Sequence, residues 1–515
     1  MRLGDLVTGF GIQTPTGDWQ SIRVCDITED SRTALPGSLF VARGGLKADG
    51  RRFIASAIEA GATAILTDAE QPIDYPGVAI LRCKDVQTAS ARLAERFYGN
   101  PSSKLDLVAV TGTNGKSTIT FLIWRMLNLV DTRCGLIGTV LTDDGREVAP
   151  SSMTTPPAIE LSRTLGSMVE SGCSAAAMEA SSHALDQRRV AALSIDIGVF
   201  TNLTGDHLDY HVTMDNYAAS KARLFESLPK DGLAVVNAHD AWSERVTHGC
   251  AAPIAACRIV GESGIGLTRS DFEATAQVLA SGVSGMHLRL SGPWGTAEGT
   301  VPLIGAYNVM NVLQAAVCCH RLGVTGDALS ELLPKLTAPP GRLEPVQIPG
   351  VAGPRVYVDY AHSDDSLRNV LLAVRGAMAT DPTAGRLWAV FGCGGDKDRT
   401  KRPRMGKAAA EIADAVIVTS DNPRSEQPGA IVKEILAGID ASLRDKVDVH
   451  VERDQAIAAA IQRAADNDVI VIAGKGHETE QIRSDGNGTL VSLHFDDREH
   501  ARQHLAARAG RPVAT

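Results

Sequence analysis

The sequence predicts an α/β fold in three domains, each built on parallel strands. Its 515 residues are set against a usual size of about 150 per domain. Short apolar runs alternate with helical windows along almost the whole chain. Turn-forming residues are dense at two places, Asn100-Pro101-Ser102-Ser103 and Thr337-Ala338-Pro339-Pro340-Gly341, and these mark the boundaries of domains 1–103, 104–337 and 338–515.

In the first domain the runs SLFVA, ATAIL and VAIL read as strands and FIASAIEAGA as a helix. From Leu105, the strand-like runs LVAV, CGLIG, SAAAME, IDIGVF and GLAVVN alternate with helical windows such as TITFLIWRMLNL and AAVCCHRLG. After Gly341 come RVYVDY, LWAVFG, DAVIVTS and DVIVIAG, again spaced by helices. The last residues, ARAGRPVAT, read as a frayed tail.

A net charge of −9 and an aromatic content of 4% exclude the basic, ring-rich surface of a nucleic-acid binder. Nine cysteines without a C-x-x-C spacing read as reduced and mostly buried, as in a cytoplasmic protein. No run approaches 18 apolar residues and the start lacks a signal-peptide pattern, so neither export nor membrane insertion is expected. A monomer acting on small molecules is the expectation.

Residues LVAVTGTNGKST, from Leu107 to Thr118, break an apolar strand into a Gly-rich turn before a helix, which is how a chain cradles nucleotide phosphates. Backbone N–H groups of Gly112, Thr113, Asn114 and Gly115 point inward, Lys116 reaches the outer phosphates, and Ser117 or Thr118 holds Mg²⁺. The pattern G-x-x-x-x-G-K-[ST] would put its first glycine at Val110, so the loop is a variant. The central sheet is accordingly expected to be P-loop ATPase-like, and the C-terminal one Rossmann-like.

Further polar residues sit at predicted strand ends, where such sheets bind ligands. Glu179 ends the run SAAAME and is placed to complete a Mg²⁺ shell; a helix-capping role is the alternative. The segment from Thr201 to Asp209 gathers Asn202, Asp206, His207 and Asp209 after IGVF as a second metal or phosphate contact. Lys221, on the helical stretch NYAASKARLF with Tyr217 and Leu224 about one turn away, reads by its chemistry as a solvated surface lysine.

Ten motifs in order, TGTNGKST, MEASSHALDQRRV, TNLTGDHLDYH, NYAASKARLF, GAYNVMNVLQAA, PGRLE, VDYAH, FGCGGDKDRTKRP, DNPR and GKGHE, make the chain resemble the Mur ligases. This ATP-dependent family builds the peptide stem of bacterial cell-wall precursors. The resemblance covers essentially the whole chain and implies ATP and Mg²⁺ as cofactors. It implies as substrates UDP-N-acetylmuramoyl-L-alanyl-D-glutamate and meso-2,6-diaminopimelate.

The resemblance also implies roles for individual residues. Lys116 contacts the transferring phosphate; Glu179 and His207 help hold Mg²⁺ with Ser117; Lys221 is carbamylated (N6-carboxylysine) and supports a metal, against the surface reading. Asn308, Asn311, Arg342, Asp359 and His362 line the ATP site. Glu29, Ser31 and the segment Leu46, Lys47, Ala48 hold the UDP portion, while Thr154, Thr155, Ser181, Gln187 and Arg189 hold the muramoyl dipeptide. Asp421, Asn422, Pro423 and Arg424, with Gly474 and Glu478, take the incoming amino acid, Arg424 gripping the distal carboxylate that lysine lacks.

Two departures stand out. Lys397 occupies the place of an Arg usual in GGDRD, which keeps the charge but loses the bidentate fork. Ser363-Asp364 replaces a usual Thr-Pro and alters a helix start. The expected chemistry is an acyl transfer through an acyl phosphate, shielded from water by domain closure. The competing readings are a lysine-adding ligase of the same step, a folylpolyglutamate-synthase-like ligase, and a nucleotide-binding protein without catalysis.

Overall fold

In the computed structural model, residues 1–45, 49–70, 75–262 and 267–510 are described; the expectation for Leu46, Lys47 and Ala48 lies outside them. The chain forms two compact bodies, Met1–Thr275 with Leu313–Thr325, and Ala276–Val312 with Gly326–Thr515.

The first body holds two sheets. Strands Asp26–Thr28, Ser38–Ala42, Ala64–Thr67 and Ala79–Arg82 pair in parallel in chain order. Every residue of the two middle strands is buried, which suits a parallel sheet covered on both faces. Helix Val86–Phe97 carries Glu95 in its last turn, and its buried carboxylate accepts from Ser102 Oγ (2.6 Å) and from Ser162 Oγ (2.8 Å) on helix Ala158–Glu170. That contact ties the small sheet to the larger one.

The larger sheet runs Ile254–Ile259, Leu233–Asn237, Ile197–Phe200, Asp106–Thr111, Ala175–Glu179, Cys134–Ile137, all parallel, then continues antiparallel through Leu141–Asp143 and Val148–Pro150. From Asp106–Thr111 the chain crosses over one position to Cys134–Ile137, returns to Ala175–Glu179, then passes to Ile197–Phe200 on the other side. The strand order reverses at Asp106–Thr111, so the loops that follow it and its two neighbours share one edge, the place where open α/β sheets bind ligands. Register fixes this: Val110 lies opposite Glu179 and Thr111 opposite Phe200.

In the second body Arg355–Asp359, Val469–Ala473, Leu387–Phe391, Ala415–Val418 and Val447–Val449 form a parallel sheet with antiparallel Glu344–Val346 on one edge. Alternate strand residues feed two cores. Tyr357, Ala389 and Val471 face helices Asp364–Ala379, Lys401–Ile412 and Pro428–Ala437; Val356, Val390 and Ile470 face helices Arg453–Arg463 and Asp497–Arg508. The altered helix start is a full capping box: Ser366 N donates to Ser363 Oγ, and Ser363 N to Ser366 Oγ. Two antiparallel hairpins, Gly285–Gly292 with Gly295–Val301 and Glu480–Ser484 with Leu490–His494, were not expected; their polar, half-exposed strands give a weaker pattern than the buried parallel ones. The C-terminal helix reaches Arg508, beyond the start of the expected tail.

Candidate active site

At the edge of the larger sheet the phosphate loop is held by backbone geometry and by the loop after Phe200. Gly112 has φ +151° and Gly115 φ +87°. A Cβ on Gly112 would lie 1.8 Å from Thr201 Oγ1, so only glycine fits there. Thr201 Oγ1 donates to Asn114 O (2.6 Å), Asn114 N to Asn202 Oδ1 (2.9 Å), and Thr113 N to Asn202 O (2.8 Å). Asn202, expected near metal or phosphate, holds the loop. Helix Lys116–Leu129 starts at Gly115 without a side-chain cap, and its first N–H groups and dipole favour an anion.

Lys116 Nζ donates to Gly112 O and Thr113 O, both at 2.9 Å, and Lys221 Nζ donates to the same Gly112 O at 2.9 Å. Lys221 is 1% exposed and lies 4.4 Å from the Tyr217 ring centre. The surface reading of Lys221 is therefore wrong. Helix Met214–Glu226 places it on the face of Tyr217 and Leu224, both buried, and packing overrides the usual exposure of lysine. Burial, then the charge of Lys116, pushes its ammonium well below the ordinary lysine range.

Glu179 is 1% exposed, and its carboxylate accepts from Thr139 N (2.6 Å) and Thr139 Oγ1 (3.1 Å); it caps no helix. Around it, Thr139 Oγ1 pairs with Thr154 Oγ1 (3.0 Å), Thr155 Oγ1 donates to Glu179 O, and Ser181 N donates to Thr155 Oγ1. Thr154, Thr155, Ser181 and Glu179 thus form one network, which Arg189 joins by donating to Thr155 O at 2.6 Å. Gln187 Oε1 holds the same guanidinium, and Glu29 with Arg43 (3.0 Å) faces both across a cleft also lined by Gln87, Ser90 and Arg188. Burial, then Arg43, lowers the pKa of Arg189. Ser31 opens the turn Ser31–Thr33, two residues from Glu29.

His207, at φ +53°, precedes the short helix Leu208–His211, and its backbone N–H donates to Asp206 Oδ1 (2.8 Å). Its ring lies 4.9 Å from that of His183 and 6.3 Å from that of Tyr217, which joins the Glu179 strand end to the phosphate loop. Burial lowers the pKa of His183 and His211; neither was singled out by the sequence reading.

In the second body Arg342 lies over the Tyr360 ring at 5.0 Å. Asp359 is buried, accepts from Leu343 N and Ala361 N (both 2.7 Å), and is pushed up by burial against the charge of Arg342. His362 Nδ1 approaches Tyr360 O at 3.0 Å. Asn311 donates to Asn308 Oδ1, and Asn308 to Ile304 O. Arg342 Nε and His477 Nδ1 are buried without a hydrogen-bond partner among the described residues, which fits a polar ligand.

The strand ends of this body gather the second group. Arg424, at φ +50°, donates to Gly395 O (2.8 Å), and its side chain and that of Lys397 flank Gly394. Asn422 donates to Glu478 (2.9 Å) and accepts from Ile482 N. Gly474 is at φ +119°, and a Cβ there would meet the Asp421 carboxylate at 2.5 Å; Pro423 is buried beside them. Lys475, 0% exposed and 3.5 Å from Glu478, belongs to this group; its signal was its place inside GKGHE. Burial pushes Glu478 up and Lys475 opposes this.

The donors on the first body suit the expected cofactors. The Gly112 cradle and the uncapped helix start fit phosphate, and Ser117 with Glu179 offers the oxygen ligands that Mg²⁺ prefers.

Known proteins give the same picture. Three family models match: "Mur ligase family, catalytic domain" at residues 24–98, "Mur ligase middle domain" at 110–319 and "Mur ligase, glutamate ligase domain" at 341–476. A Synechococcus elongatus protein named UDP-N-acetylmuramoyl-L-alanyl-D-glutamate–2,6-diaminopimelate ligase is 41% identical over 492 residues, 95% of each chain. One of the same name from Gloeobacter violaceus is 40% identical over 99% of each chain. A solved structure of an enzyme so named is 32% identical, covers 96% of this chain and 97% of its own, and superposes with a TM-score of 0.68. With its phosphate-loop edge, its three α/β sheets and likeness along nearly its full length, the chain belongs to the Mur ligase family.

Proposed function

We propose that the protein is the ATP-dependent ligase that joins meso-2,6-diaminopimelate to the D-glutamate of UDP-N-acetylmuramoyl-L-alanyl-D-glutamate. The observation that carries the reading is the convergence of Lys116 and Lys221 on Gly112 O at the strand edge, which sets a cation for the transferring phosphate beside a buried amine. Relatives of nearly equal length bear the name of this activity.

In this reading residues 1–103 serve the UDP-sugar, 104–337 ATP, and 338–515 the amino acid. The D-glutamate γ-carboxylate attacks the γ-phosphate of ATP, giving an acyl phosphate and ADP. Lys116, offered from the loop carbonyls, offsets the charge on the phosphoryl oxygens. Mg²⁺, held by Ser117, Glu179 and His207, would supply further charge neutralisation. Burial favours the neutral amine of Lys221, the form that takes up CO₂ with loss of a proton, and the resulting carbamate would be an anion on the metal side of the site. The diaminopimelate amine then attacks the acyl carbonyl, phosphate leaves, and an amide remains.

Arg189 and Gln187, across from Glu29, hold the nucleotide-sugar dipeptide. Arg424 and Lys397 take the distal carboxylate of diaminopimelate, and Asp421, Asn422 and Glu478 its ammonium groups. Phosphate release from ATP with the UDP-muramoyl dipeptide and each amino acid in turn tests the proposal. Release with diaminopimelate and not with lysine is expected; equal release with lysine overturns it.

A further inference from the structure

We propose that Asp454, His500 and His504 form a binding site for a transition-metal ion of the zinc, cobalt or nickel type. The site lies in the helical layer of the second body that packs on the Val356, Val390 and Ile470 face of the sheet. It involves none of the residues assigned to nucleotide or amino acid.

His500 and His504 are one turn apart on helix Asp497–Arg508, so their rings leave the same face. Asp454 is the second residue of the neighbouring helix Arg453–Arg463. Asp454 Oδ1 lies 2.7 Å from His500 Nδ1 and 2.6 Å from His504 Nε2, and all three ligand atoms fall within 4.8 Å of one another.

The scaffold beneath is fixed. Arg453, next to Asp454, makes a bidentate pair with Asp497 at 2.6 and 2.7 Å, with both side chains 0% exposed, and this sets the register of the two helices at their starts. The His500 ring is stacked on Phe495 at 4.2 Å, which fixes its orientation. The two imidazoles are about four-fifths buried, while Asp454 is 46% exposed, so the trio is held in place yet open to solvent on one side.

Two imidazole nitrogens and one carboxylate suit borderline cations, whereas Mg²⁺ and Ca²⁺ favour all-oxygen shells. An ion would take the place of the protons now shared between the rings and the carboxylate, and would leave its other coordination positions to water.

The test is a CoCl₂ titration of the full-length protein, freed of metal with a chelator, followed by visible absorption. One equivalent is expected to bind in the micromolar range. His500→Gln/His504→Gln should weaken it by about 100-fold, while phosphate release with Mg²⁺ stays unchanged. Asp454→Asn, which keeps the shape and some hydrogen bonding, should weaken Co²⁺ by about tenfold. ZnCl₂ should raise the Tm of the unaltered protein and not that of the double variant. Equally tight Co²⁺ binding in the double variant, no binding up to about 1 mM, or an equal Zn²⁺ effect on both proteins overturns the proposal and leaves the trio as a hydrogen-bonded link between two helices.

Discussion

The phosphate loop of the first body and the strand ends of the second set their cations against different partners. At the phosphate loop, Lys116 leans on the carbonyl oxygens of Gly112 and Thr113. In the second body Lys475 lies against Glu478, Arg402 spans Glu426 and Glu434, and Arg453 pairs with Asp497. A carbonyl accepts a hydrogen bond without cancelling the charge, and a carboxylate cancels it. The first arrangement suits a polyanion such as a nucleotide. The second suits an amino acid, which brings both signs with it, and within it Arg424 rests on a carbonyl, Gly395 O, as a carboxylate-binding group should.

Removing a cation of the first kind should cost most. Lys116→Ala is expected to lower ADP formation by about 1000-fold, read as phosphate release at saturating substrates; unchanged turnover would end the distinction. Arg424→Ala should act on binding, raising the KM for diaminopimelate by about 100-fold with a much smaller change in kcat. A large fall in kcat with constant KM would instead place Arg424 in the chemical step.

Gly112→Ala probes the shape of the cradle rather than its charge. Its Cβ would overlap Thr201 Oγ1, and a loss of about 2 kcal/mol by urea unfolding is expected, together with loss of nucleotide binding by calorimetry.

A smaller effect concerns pH. Burial, then the charge of Arg342, pushes His477 down to about 4. Between about 4 and the ordinary value of 6.5 the unfolded chain therefore binds more protons than the folded one, so stability rises with pH across that window and falls as pH drops through it. His477→Gln should flatten the urea midpoint between pH 6.5 and 4.5; an unaltered slope would show that folding does not lower the His477 pKa. Smallest of all, Lys397→Arg should lower the diaminopimelate KM by about threefold through a bidentate contact, measured in the same assay.

The buried parallel strands were legible because they are short continuous apolar runs. The run from Leu107 to Val110 and the one from Val469 to Ala473 are buried throughout, and a sequence shows that pattern directly. The exposed hairpin from Glu480 to His494 was not, because nothing in its composition separates it from loop. Lys221 is instructive: its spacing from Tyr217 and Leu224 put it on the apolar face, yet the general preference of lysine for water argued the other way, and only packing decides. Asn202 shows a further limit. Its bonds to Asn114 across the loop join residues 88 apart, a pairing that no local pattern carries.

The acceptor shared by the two lysines belongs to the main chain. No codon change can delete Gly112 O; it can only be moved. Saturation mutagenesis should therefore sort the three positions by unlike rules: tolerance at 112 following side-chain size and access to positive φ, and tolerance at 116 and 221 following charge and reach.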